Sequence, residues 1–117
     1  MAESKEEKYI LPHHQLIAFS VAKELVLAVI AGKITDATLR DQALRAAKSA
    51  SLNTAEGASR LTNADKKRVF AIARAEAAEA ATAVEAAVAC DAVTAAHEEA
   101  VRRIADRLYG MLSGLLR

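Results

Sequence analysis

The stretch FAIARAEAAEAATAVEAAVA, residues 70–89, decides the fold. Its Phe70, Ala73, Ala77, Ala80, Val84 and Ala87 recur at alternating steps of three and four, which places all six on one face of an α-helix. A strand would need apolar residues at every second position, and this run does not supply them. A sustained three-four alternation is the seam of helices that cross at a shallow angle in a left-handed bundle. The helix therefore needs partners, and the flanking sequence provides three.

Toward the N-terminus, the loop 60–63 precedes this helix, and Thr62 and Asp65 have capping-box spacing, with Asn63 as an alternative N-cap. Before the loop, Leu39, Ala43, Ala46, Ala50, Asn53 and Gly57 form a second stripe with the same rhythm, and Thr35 or Asp36 is placed to cap its start. Earlier still, Pro12 suits a first helical turn, and Leu16, Phe19, Ala22, Val26 and Val29 or Ile30 predict a helix over 12–31 that Gly32 ends. Toward the C-terminus, after 91–94, Val101, Ile104, Leu108, Met111 and Leu115 predict the last helix. Four long helices with short connections predict an all-α, antiparallel, up-down-up-down four-helix bundle over 12–117, with 1–11 as a flexible tail.

Composition agrees with one domain of this kind. The chain has 117 residues, of which 53% are hydrophobic, but roughly a quarter are Ala and only four are aromatic. Ala favours helix and lets axes approach closely, yet it buries little apolar area, so a monomer built this way has a thin core. Four Gly and one Pro leave few breaks. The single Cys90 excludes an internal disulfide and a cysteine-only metal site, and is expected to be a small core residue. The opening MAESKEEK has no apolar signal region, and the apolar stretch 16–31 is interrupted by Ser20, Lys23 and Glu24, so the expectations are a cytoplasmic protein and no transmembrane span.

From Leu39 onward the sequence resembles a known family. LRDQALRAAKSASLNTAEGASR, residues 39–60, is similar to the helix 2 signature of the bacterial four-helix-bundle proteins encoded in 23S rRNA intervening sequences: Arg-Ala-Ala, Ser, then Asn-x-Ala-Glu-Gly and a following Arg. AIARAEAAEA at 71–80, the ending MLSGLLR and AKELV at 22–26 fit the same pattern. The chain departs from it in having no tryptophan in helix 1, Lys66 and Ala71 at positions that are aromatic in the family, and a net charge of only +1. The resemblance implies a homopentamer of bundles arranged as a ring, without known catalytic activity. Relatives include the accessory variability determinant of diversity-generating retroelements, in which a similar pentamer binds nucleic acid and a reverse transcriptase.

The residues themselves offer two candidate sites. Asn53, Glu56 and Arg60 stand at i, i+3 and i+7 on one helix face, where Arg74 and Glu79 of the next helix could meet them. Such a group is either a polar site or, more simply, a hydrogen-bonded network that sets helix register. Gly57 in mid-helix costs about 0.5–1 kcal/mol relative to Ala, which points to close backbone contact with a neighbour. No Glu-x-x-His pair suits a di-iron bundle, and His13, His14 and His97 lack metal-ligand spacing, so no metal or other cofactor is expected. Without a phosphate loop, a nucleophile elbow or a Cys–His pairing, the chain does not read as an enzyme.

The second candidate comes from charge. Residues 33–74 carry nine basic and four acidic side chains, whereas 75–100 carry six acidic and no Lys or Arg. In an up-down-up-down bundle, Arg60, Lys66, Lys67 and Arg68 would share an end with His13, His14 and Arg117, opposite Asp91, Glu98 and Glu99. This predicts one basic and one acidic end, with the basic end able to contact the backbone of RNA or DNA; the bland alternative is a solvated first turn. The resulting expectation is a self-associating structural or interaction module, with a nucleic-acid-binding accessory factor as the alternative.

Overall fold

The computed structural model describes residues 10–117. It contains a 3₁₀ turn, Pro12–Gln15, and four helices: α1 (Ile17–Ala31), α2 (Ala37–Ser59), α3 (Asn63–Ala89) and α4 (Ala95–Leu115). The expected tail falls outside the described residues up to position 9. Each helix packs on the next, and α1 also packs on α4, so the four close into a bundle. At one end the α1–α2 and α3–α4 connections meet, where the Thr35 backbone N–H and hydroxyl both donate to the Ala92 carbonyl at 3.0 and 3.2 Å. At the other end Leu11, Pro12 and His13 face the α2–α3 connection across a shared cleft.

Local chemistry sets the helix starts. Asp36, Thr62 and Thr94 each occupy an N-cap, and their side-chain oxygens accept from Leu39 N, Asp65 N and His97 N at 2.9, 3.1 and 3.1 Å. The first helix differs from the expectation over 12–31. Leu16 is extended, with φ −102° and ψ 122°, so Pro12–Gln15 is a separate turn and the α-helix begins at Ile17. Gly32 ends α1 in a right-handed conformation; the left-handed residue is Lys33, at φ 51°, and Asp91 plays the same part after α3 at φ 59°.

The α3 seam lies in the core as the spacing predicts: Phe70, Ala73, Ala77, Ala80, Val84 and Ala87 are all buried. The α2 stripe departs at two places. Leu39 and Asn53 are only half-buried, whereas Ala47 and Thr54 are fully enclosed. Thr54 tolerates this because its hydroxyl donates to the Ala50 carbonyl at 2.7 Å within the same helix. In α1 the buried residues are Ala18, Val21, Ala22, Leu25 and Val29, so Phe19 and Val26 flank the core and Ile30 faces solvent. In α4, Ala105 and Leu112 are buried beside Val101 and Leu108, while Ile104, Met111 and Leu115 pack along the margin. Cys90 is exposed instead of in the core, because it caps α3 where the chain turns away from the bundle.

Candidate functional site

At the α2–α3 end the candidate residues form a chain of ion pairs. Glu56 pairs with Arg60 one turn later. Arg60 Nη1 reaches Asp65 Oδ2 at 3.4 Å, and Asp65 Oδ1 accepts from Arg68 Nη2 and Nε at 2.9 and 3.0 Å. The geometry follows from spacing: Glu56 and Arg60 are i and i+4, Asp65 and Arg68 are i and i+3, and the short loop folds one pair onto the other. Two carboxylates and two guanidiniums therefore offset one another. The Lys66 ammonium donates to the Ala58 carbonyl at 2.8 Å and satisfies an acceptor in the last turn of α2. Among the described residues, Lys67 is the one of Arg60, Lys66, Lys67 and Arg68 whose side chain makes no hydrogen bond or ion pair. Arg60 and Asp65, but not Lys66, Lys67 or Arg68, line a cleft of about 880 Å³ together with Leu11, His13, Ala55, Glu56 and Leu61.

The other members of the expected polar group lie elsewhere. Asn53 stays within its own helix, its Nδ2 donating to the Ser49 carbonyl at 2.9 Å and to the Ser49 hydroxyl at 3.1 Å. Arg74 turns to α4, where it donates to Ser113 Oγ at 3.1 Å and its guanidinium stands 5.1 Å from the Tyr109 ring centroid. Glu79 turns to α2 and accepts from Arg45 Nη2 at 2.6 Å. Positions five apart on a helix differ by about 140° in direction, so Arg74 and Glu79 serve different neighbours. Gly57 does mark a close approach, but to a side chain: a Cβ there would lie 2.6 Å from Phe70 Cδ1.

Asp65, which joins Arg60 to Arg68, is the member that the charge count hides. Its signal was present in the sequence, since the capping-box spacing puts an acid three residues before Arg68. The opposed charge blocks are likewise offset in three dimensions. Arg45–Glu79 joins the basic block to the acidic one across α2 and α3, and Glu98 and Glu99 pair with Arg102 and Arg103 within α4; outside both blocks, Arg107 bonds Glu24 across α4 and α1 at 3.1 Å. Three buried side-chain atoms lack a partner among the described residues: Arg60 Nε, Glu76 Oε1 and His97 Nε2. The His97 ring lies against Gly32, and its pKa is lowered from the ordinary histidine value because burial disfavours the charged form.

No group of three or more His, Cys, Asp or Glu is placed to hold a metal ion, and no helix is long and apolar enough to cross a membrane, among the described residues. What stands out on the surface is apolar: Leu27, Ile30, Leu52 and Leu61 are 66%, 52%, 70% and 96% exposed. The fold and these surfaces define an all-α four-helix bundle with paired charges and exposed leucines. The family model of the 23S rRNA-intervening sequence proteins matches residues 14–114, and the chain belongs to that family. A comparison with curated proteins returns no match.

Proposed function

We propose that this chain is a non-enzymatic, self-associating bundle whose working form is a homo-oligomer that acts as a structural or interaction module. The observation that carries the reading is the exposure of large aliphatic side chains on the α1 and α2 flank, above all Leu27 and Leu52. Contiguous apolar surface of this kind is costly in water and marks contact sites. The core supports the same reading, since thirteen of its 23 buried hydrophobic residues are Ala and a lone bundle buries little area per residue. The resemblance described above implies a pentamer. Size exclusion with light scattering at micromolar concentration tests the proposal: an assembly of several copies is expected, and a monomer overturns it.

A second reading, a nucleic-acid accessory factor with an RNA, DNA or reverse-transcriptase partner, is favoured by one observation. Lys67 and Arg68 stand exposed near the start of α3, where phosphate could reach them. The ion pairs around Asp65 weaken that field, so binding would be weak and sensitive to salt. An electrophoretic shift assay at low salt, with Lys66, Lys67 and Arg68 replaced by Glu as the control, decides it.

A further inference from the structure

Two opposite flanks of the bundle differ in a complementary way. Because α1 packs on α2 and α4 but α2 packs on α3, the α1/α2 flank lies across the bundle from the α3/α4 flank. Halfway along the α1/α2 flank, Leu27 and Leu52 stand out beside a groove of about 450 Å³ that is bordered by Lys23 and Lys48. Halfway along the α3/α4 flank lies a groove of about 400 Å³ floored by Ala78, Ala81 and Thr82, with Glu85, Asp106 and the half-exposed Tyr109 on its borders. One flank carries apolar projections with basic neighbours, and the other a small-residue channel with acidic neighbours. Among the described residues, Lys48, Glu85 and Asp106 have no ion-pair partner; Arg102, which also borders the channel, is held by Glu98 at 3.5 Å.

We infer that the α1/α2 flank of one copy seats in the α3/α4 channel of the next, with Leu27 and Leu52 over Ala78 and Thr82 and with Lys48 facing Glu85 and Asp106. The inference rests on the self-association proposed above and specifies its geometry. Small residues let a neighbouring helix approach closely enough to bury the leucines, and burial strengthens the opposed charges. Because the two surfaces are different, the contact is head-to-tail, so each copy offers one of each and the assembly closes as a ring or extends as a filament. Both surfaces sit at mid-height, so successive copies stand side by side with their long axes roughly aligned.

Two blocked variants test this. Leu27→Asp with Leu52→Asp spoils the first flank, and Ala78→Arg with Thr82→Arg spoils the second; Leu27, Leu52, Ala78 and Thr82 are all exposed, and circular dichroism confirms the fold. Each variant alone is expected to be monomeric where the wild type is assembled, and an equimolar mixture is expected to give a heterodimer, because only one intact pair of flanks remains. In a separate series, Lys48→Glu should weaken assembly by ~10-fold or more, and adding Glu85→Lys to the same chain should restore it. If the wild type assembles but the Ala78/Thr82 variant assembles equally well, or the mixture stays monomeric, the head-to-tail contact is wrong while self-association stands. A monomeric wild type would remove both.

Discussion

The Phe70 ring packs against Gly57 so closely that a Cβ on Gly57 would lie 2.6 Å from Cδ1 and 2.7 Å from Cε1. This is where α2 and α3, the most extensively packed pair of helices, come together near the loop that joins them. The ring itself is buried at 5% exposure, so it has little room to withdraw.

Gly57→Ala should therefore destabilise the fold even though Ala is the better helix former. Overpacking a tight core costs about 1–3 kcal/mol, against a helix-propensity gain of about 0.5–1 kcal/mol. Chemical denaturation should report a net loss, and Phe70→Leu should reduce the penalty of Gly57→Ala in a double-mutant cycle. Additive effects of the two changes would show that the contact does not govern the site.

His97 should make stability depend on pH. Its folded pKa lies below the ordinary 6.5, so as pH falls through that value the unfolded chain takes up the proton first. Stability from this group is complete above the ordinary value and is lost as pH falls from there through the lowered folded value, below which it levels off. His97→Leu, which keeps apolar bulk beside Gly32 and cannot titrate, should lose less Tm than the wild type between neutral pH and mildly acidic pH. Parallel Tm curves for the two proteins would rule out His97 as the source.

Asp36→Ala removes the oxygen that accepts from Leu39 N at 2.9 Å. Loss of an N-cap costs about 0.5–2 kcal/mol, and a urea midpoint shifted down without a change in slope is the expected record.

Lys33→Gly should act in the opposite direction. Lys33 is exposed and held at φ 51°, a region that costs an L-residue about 1–2 kcal/mol and glycine almost nothing. Part of that gain returns as greater freedom of the unfolded chain, leaving a net stabilisation of about 0.5–1 kcal/mol, measurable by thermal melting.

Asp65→Asn should free Arg60 and Arg68 from their shared carboxylate. Exposed ion pairs contribute less than about 1 kcal/mol, so the fold should change little. If nucleic acid is a ligand, its binding at low salt should tighten and become more salt-dependent, since more cations are then free to meet phosphate. Unchanged binding in the shift assay would place the contact elsewhere.

The sequence by itself determined the class of fold. Six residues from Phe70 to Ala87 at steps of three and four could bury one face only against other helices, and the caps at Asp36 and Thr62 were set by side-chain oxygens three residues before the N–H groups from which they accept. Such local rules act within one or two turns, so a linear reading reaches them. The phase of α1 was legible only in part: Ala22 and Val29 of the expected stripe are buried, but a helix with leucine, isoleucine and valine nearly all round offers several apolar stripes, and contact with its neighbours chose Ala18, Val21 and Leu25 over Leu16, Phe19 and Val26. Only tertiary structure decided the candidate sites. Charge totals along the chain suggested opposed ends, but the Arg45–Glu79 ion pair joins residues 34 positions apart and offsets the two blocks across space. The same folding turned Arg74 and Glu79 to different partners and left Leu27 and Leu52 in water, since exposure depends on which helix stands opposite and not on the residue's own hydrophobicity.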